Sequence, residues 1–319
     1  MNGDGDLQAP GHRLEVAGPS ISMSLVKFVL RLGRDKRILR SAERTAVDIE
    51  KKQRAGAARR PASIDRGFRT TSTIVAGLPT VSVEPRELDP QARSIVYLPG
   101  GAYAYPLLKA HWWLVSALVR DNQTRVRVVF YPLAPKGTAR TVIPGVADLV
   151  EELSGVEGRP PVLAGDSAGG GLALATAQYL RDHERCLPAQ LVLLSPWLDA
   201  SLTNPDARQA GAADPSLAEA GLLYAARLWA DDLSLEDSAV SPLYGDTRGL
   251  CPITVVTGTA DLLYPDCEKL AAACQQSGTD FSMLVVRGAF HVFIAATSLP
   301  EARTARRYVR SRLESIWID

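Results

Sequence analysis

Six short apolar runs, "SIVYLPG", "VRVVFYP", "PVLAGDS", "QLVLLSP", "ITVVTG" and "SMLVVRG", recur between residues 94 and 288, with helical segments between them. A strand that is apolar at consecutive positions has no face to give to water. Its sheet must therefore be covered on both sides, and alternation with helices makes that sheet parallel. The pattern predicts an α/β fold: a mostly parallel central sheet with helices on both faces. Sites in such folds lie at the carboxyl ends of the strands, so the residues just after each run are the ones to read for chemistry.

At 319 residues the chain accommodates one large α/β domain with an inserted cap. Residues 1–20 open with polar "MNGDGDLQAPGH" and are expected to be a disordered leader. Residues 21–66 are expected to form an N-terminal helical cap segment, broken near Gly33. Residues 67–319 are expected to form the main α/β domain. It starts with the β-rich runs "TSTIV" and "TVSVEP" and is interrupted at about 201–240 by polar loops and one helix, "SLAEAGLLYAARLWADD", which is read as part of a lid.

The first apolar stretch, "ISMSLVKFVL", begins after residue 20 and is broken by Lys27, which is not the form of a secretory signal. Cys186, Cys251, Cys267 and Cys274 lack zinc-site or redox-pair spacing, so a cytoplasmic setting is expected. A net charge of +1 points to no nucleic-acid partner, but residues 24–66 hold 13 Lys/Arg against 5 Asp/Glu. Two readings fit that surplus. One is a solvated helix face; the other is peripheral membrane contact by a basic amphipathic helix carrying Leu25, Val26, Val29, Leu30 and Leu32.

Gly165-Asp166-Ser167-Ala168-Gly169 fits G-x-S-x-G and sits between the strand "PVLA" and the helix "GGGLALATAQYL". In that context the motif has a mechanical meaning: a strand turning sharply into a helix lifts the serine to the sheet edge, and glycines on both flanks avoid collision. A serine needs a base, and the base needs an orienting carboxylate. Of the four histidines, His12 lies in the leader, His111 on a helix before "WWLVSALV", and His183 in the polar turn "RDHERC". His291 alone follows a late strand. Asp261 ends "ITVVTGTAD" beyond another strand, with Asp266 as the alternative; Asp261 would equally serve to cap the helix starting near Tyr264. The glycine-rich turn "YLPGGAY" offers the N–H groups of Gly101 and Ala102, with Ala168 as third donor, for an oxyanion hole. Tyr103, Trp112, Trp113, Trp197, Leu222 and Tyr224, together with Trp229, are candidates to line an apolar substrate pocket.

These stretches resemble the α/β-hydrolase fold and, within it, the hormone-sensitive-lipase-like (bacterial family IV) esterases. The resemblance runs from about 93 to 295. It is carried in family order by "GDSAGG", "YPLAP", "LLSPWLD", "SPLYGD", "GTADLL" and "GAFHVF". It implies a serine carboxylic-ester hydrolase acting on small to medium acyl esters through an acyl-enzyme, with no metal or organic cofactor. It also implies that the N-terminal helices match the family's cap, and that the final strand is available to pair across a homodimer. A lactone hydrolase or deacetylase would use the same triad, and a non-catalytic small-molecule-binding protein could share the fold. One departure stands out: the family's His-Gly-Gly-Gly is Pro99-Gly100-Gly101-Ala102 here. The bracing histidine is lost, and Pro99 is expected to brace the loop through its fixed φ.

Overall fold

The computed structural model describes residues 13–89 and 92–317. The six apolar runs become β4 (Ile95–Leu98), β5 (Val126–Val129), β6 (Val162–Asp166), β7 (Gln190–Leu194), β8 (Ile253–Ala260) and β9 (Phe281–Phe290). Together with β1 (Arg13–Val16), β2 (Arg69–Val75) and β3 (Leu78–Glu84) they make one sheet, ordered β1-β9-β8-β7-β6-β4-β5-β3-β2. All pairings are parallel except those of β3, which runs against both β2 and β5. The β2–β3 hairpin closes on Ala76 and Gly77, both at positive φ (45° and 78°), a two-residue turn whose twist matches that of the strands.

The continuous apolar runs are explained by what each face meets. Along β4, Ile95 and Tyr97 enter one core layer while Val96 and Leu98 enter the other. Along β7, Val192 and Leu194 alternate with Leu191 and Leu193 in the same way. One layer is closed by α5 (Lys109–Asn122) and α11 (Pro300–Trp317), and the other by α6 (Ala139–Glu157), α7 (Ala168–Asp182) and α10 (Tyr264–Ser277). Each fully buried Leu or Val contributes about 1.5–3 kcal/mol, so two layers of them set the fold.

Residues 21–66 form four helices: α1 (Ile21–Leu32), α2 (Asp35–Leu39), α3 (Ala42–Ala55) and α4 (Ala62–Gly67). Gly33 ends α1, as expected, and donates to Val29 and Leu30. The excursion after β7 holds two helices rather than one, α8 (Pro205–Ala213) and α9 (Glu219–Ala230). The first, "PDARQAGAA", lacks a stripe of large apolar residues, so periodicity alone misses it. It is started instead by the Asn204 side chain, which accepts from the Asp206 N–H, and by Pro205 in the first turn.

Two expectations need correction. Residues 13–20 are not a disordered leader: β1 pairs with β9, Leu14 and Val16 pack on the core, and Arg13 and Glu15 pair with Glu268 and Arg287. A four-residue strand is too short to declare itself by pattern. The expected leader's first twelve residues lie outside the described residues. The same strand occupies the free edge of β9, so that edge is not available for pairing across a dimer. Among the described residues no helix is long and apolar enough to cross a membrane, and the four cysteines are unpaired.

Candidate active site

The strand order reverses at β4, which lies between β5 and β6. Loops leaving β4 and β6 at the same rim therefore diverge to either side and leave a crevice. Ser167 stands there, immediately after β6, at φ 52° and ψ −123°. Such a conformation costs about 1–3 kcal/mol in a non-glycine residue and persists only if its surroundings over-determine it. Here the Ser167 N–H donates to Leu194 O at 2.9 Å, while Ser167 O accepts from Gly170, Gly171 and Trp197. The flanking glycines are required by contact: a Cβ on Gly165 would sit 2.2 Å from Gly169 O, and one on Gly169 1.9 Å from Leu98 O.

His291 follows β9 and returns over the rim. Its Nε2 lies 2.9 Å from Ser167 Oγ, and its Nδ1 lies 2.9 Å from Asp261 Oδ2. The carboxylate only accepts, so Nδ1 carries the hydrogen and Nε2 is left free to take one from the serine. Asp261 is fully buried, and its other oxygen accepts from the Leu263 N–H at 2.9 Å, so one side chain both caps the following turn and orients the imidazole. Burial alone would lower the His291 pKa. The adjacent Asp261 carboxylate outweighs it, helped by the more distant Asp214 and Asp166, and the net shift is upward from the ordinary 6.5. The alternative carboxylate, Asp266, accepts instead from Asn204 at 2.7 Å, and burial raises its pKa to about 6.

Two further contacts fix the loops. The Val292 N–H donates to Ser195 Oγ at 3.0 Å, tying the histidine loop to the end of β7. Asp214, at the end of α8, accepts from the N–H groups of Leu217 and Leu262, which joins the excursion to the loop carrying Asp261.

The turn after β4 presses on the nucleophile, since a Cβ on Gly100 would fall 3.0 Å from Ser167 Cβ. Gly101 (φ 133°) and Ala102 (φ 49°) follow in conformations rare for L residues, and no intramolecular acceptor takes their N–H groups among the described residues. Ala168 opens α7, so its N–H is also unclaimed by the helix and sits at the positive end of the helix dipole.

Side chains outside the turn brace it. Pro99 is held through its carbonyl, which accepts from Tyr131 Oη at 2.6 Å, and the Gly100 N–H donates to Asp166 Oδ1 at 2.9 Å. Asp166 also accepts from the Tyr97 hydroxyl, and its second oxygen lies 3.3 Å from His111 Nε2. His111 Nδ1 accepts from the Leu108 N–H at 2.9 Å, so Nε2 carries the hydrogen and donates to Asp166. Burial would raise the Asp166 pKa; the His111 imidazole and the bonds from Tyr97 and Gly100 outweigh it and hold the carboxyl below its ordinary value. Asp166, Tyr97 and His111 are the residues that sequence reasoning misses. The one available signal is an acid at the end of a fully buried strand, which requires partners.

Most of the expected pocket residues are placed in the core. A cavity of about 320 Å³ opens against Pro99 and Gly100, and it is lined by Gln53, Tyr105, Leu107, Phe130, Tyr131 and Leu133 among others. None of the aromatic or leucine residues named from sequence lines it. Tyr103 is stacked between Trp197 and Trp229, with ring centroids 5.6 and 4.2 Å away. Leu222 is buried beside them in the same core layer, and Tyr224 packs half-buried on its edge. Trp112 is buried in the opposite layer, donating to Ala58 O, and Trp113 is 47% exposed. Apolar spacing marks aromatic residues as buried without saying which space they fill. His183 is exposed and stacked on Tyr179, and His12 lies outside the described residues.

A family profile for the alpha/beta hydrolase fold matches residues 95–295. The chain is 33% identical over 227 residues to a triacylglycerol lipase of Mycobacterium tuberculosis, covering 70% of this chain but 47% of that one, so it spans about half that lipase's length. It is 32% identical over 227 residues to an acetyl-hydrolase of Streptomyces hygroscopicus, covering 70% and 75%. In structure it is similar to the hormone-sensitive-lipase homologue EstE7 from a metagenome library, with a TM-score of 0.79 at 20% identity over 94% of this chain and 100% of that one.

Proposed function

We propose that this chain, which belongs to the alpha/beta hydrolase fold family and whose motifs resemble those of the hormone-sensitive-lipase-like esterases, hydrolyses carboxylic esters of small to medium acyl groups through an acyl-enzyme on Ser167. The observation that carries this reading is the unbroken hydrogen-bonded chain from Ser167 Oγ through His291 to Asp261, each link 2.9 Å.

In this reading His291 Nε2 takes the Ser167 proton as Oγ attacks the ester carbonyl carbon. The carbonyl oxygen becomes negative and is received by the N–H groups of Gly101, Ala102 and Ala168. Each such donor is worth about 3 kcal/mol when held ready in a site closed to water. The carbon–oxygen bond to the alcohol then breaks, and the alcohol leaves with the proton from His291. A water repeats the sequence on the acyl-serine, giving its proton to His291, and releases the carboxylic acid and the free serine. Asp261 holds the imidazole in the tautomer that both halves need. The acetyl-hydrolase relative supports short acyl chains.

The test is a panel of aryl esters of increasing acyl length, run on the wild-type protein and on Ser167→Ala. Turnover of short esters that falls by about 10³-fold or more in the variant is expected. A wild-type protein inert to every ester, or a fully active alanine variant, ends the reading.

A further inference from the structure

Helix α1 is apolar on two opposed faces. At 100° per residue, Met23, Val26 and Leu30 share one side; Met23 is fully buried, and the other two pack half-buried on the core. Ile21, Leu25, Phe28, Val29 and Leu32 fall together on the other side, within an arc of about 100°. They are 91, 61, 57, 59 and 66% exposed. Scattered exposed leucines are ordinary, but a continuous stripe along a whole helix marks a surface that something else covers.

The surrounding charge says what. Between residues 21 and 40 the only acid is Asp35, against six Lys and Arg. Lys27 and Lys36 turn inward, donating to Gly288 O and to Gly211 O and Asp214 O. Arg31, Arg34, Arg37 and Arg40 are exposed, and no ion pair engages them among the described residues. A second copy seated on this stripe about a two-fold axis would bring these arginines against their own equivalents, which is unfavourable. An anionic lipid surface meets the same arginines with phosphate and the same stripe with acyl chains. Residues 1–12 of this chain contain two large apolar residues, Met1 and Leu7, against five exposed positions on α1.

The position of α1 gives the surface a use. The Ser20 N–H donates to Glu301, and Lys27 holds the carbonyl of Gly288, three residues before His291, so α1 lies at the carboxyl rim beside the histidine loop. From α1 the chain runs past α8 and α9 to Gln53, whose side chain donates to Ala104 O just beyond the oxyanion turn. We propose that α1 docks this protein peripherally on an anionic lipid surface, with its apolar stripe in the headgroup boundary and its arginines on lipid phosphates. Resting on the ester-hydrolase reading, the site then draws its substrate from that surface: an ester dissolved in or anchored to the lipid.

The test is co-sedimentation with vesicles of phosphatidylcholine alone and with about one third phosphatidylglycerol, as a function of salt. Wild type and Ser167→Ala are compared with Leu25→Ser/Phe28→Ser and with Arg31→Gln/Arg34→Gln/Arg37→Gln. Wild type and Ser167→Ala should bind anionic vesicles alike, at least ~10-fold more tightly than neutral ones and more weakly as salt rises. Each multiple variant should lose ~10-fold or more of that binding while hydrolysing a water-soluble short ester at the wild-type rate. Absent binding, or equal binding to neutral vesicles, overturns the docking. So does a dimer in sedimentation velocity that Leu25→Ser/Phe28→Ser abolishes without any vesicle binding, which would make a second copy the occupant. Vesicle binding by a protein that hydrolyses no ester would leave the docking standing and end the functional reading instead.

Discussion

Replacing Asp166 with asparagine isolates what braces the oxyanion turn. The carboxylate is 2% exposed and receives three donors: the Gly100 N–H, the Tyr97 hydroxyl and His111 Nε2. Asparagine keeps the shape and one carbonyl, enough for Gly100 and Tyr97, but turns an NH₂ group toward the Nε2 hydrogen. His111 cannot answer by changing tautomer, because its Nδ1 accepts from Leu108 at 2.9 Å. Two buried donors, the Nε2 hydrogen and the amide N–H facing it, are left unmatched, a cost of about 1–3 kcal/mol each in stability. The bond to Gly100 also loses its charge, and charge-assisted bonds are roughly twice as strong as neutral ones. Because full loss of one oxyanion donor costs ~10²–10³ in kcat, a loosened turn should cost ~10–100-fold in kcat with KM little changed. Asp166→Ala, which abandons all three donors, should approach the full loss. His111→Gln can turn a carbonyl toward residue 166, so added to Asp166→Asn it should recover about 1 kcal/mol of the stability lost. Urea denaturation gives the stability and aryl-acetate kinetics give the kcat/KM split. An Asp166→Asn protein with wild-type kcat would refute the bracing argument, whatever its stability.

Further outcomes follow from the same geometry. Ala102→Gly relieves a positive φ that costs an L residue about 1–2 kcal/mol but adds freedom worth about 0.4–1 kcal/mol to the unfolded chain, so calorimetry should find a net gain below about 1.5 kcal/mol. The raised His291 pKa places the acid limb of kcat/KM above pH 6.5, because the protonated imidazole cannot act as base. Asp261→Asn should move that limb down and cut kcat by ~10⁴, both read from a pH–rate profile. Stability runs the opposite way: the His291–Asp261 pair contributes fully below pH 6.5, and that contribution is lost as pH rises through the raised folded-state value. Asp266, whose pKa rises from 3.8 to about 6 on burial, destabilises the fold increasingly between those values and fully above them. Asp266→Asn should therefore stabilise the protein by up to about 3 kcal/mol at pH 8 and by almost nothing at pH 4, measured as unfolding midpoints.

Ser167, Asp261 and His291 are legible in the sequence because each follows an apolar run, and the end of such a run in a parallel sheet is a defined place in space. The two glycines around Ser167 are legible for a steric reason that the close approaches to Gly169 O and Leu98 O bear out. The brace behind the turn is not legible. The x position of G-x-S-x-G carries no rule, and His111 looks like any helical histidine until the side chain of Asp166 is seen beneath it. Nor is the pocket: Tyr103, Trp197 and Trp229 read as candidate walls, yet their rings find one another and make core. Strand β1 is too short for its alternation to register, and its place is decided by an edge of β9 formed some 270 residues later.

Whether Ser167 itself carries the acyl group is read by rapid-quench mass spectrometry of the intact protein with an aryl butyrate. A burst of aryl alcohol matching the enzyme in amount and a butyryl mass on the peptide containing Ser167 are expected, with neither in Ser167→Ala. Turnover with no acylated protein at any time, or the same adduct on the alanine variant, would contradict acylation at Ser167.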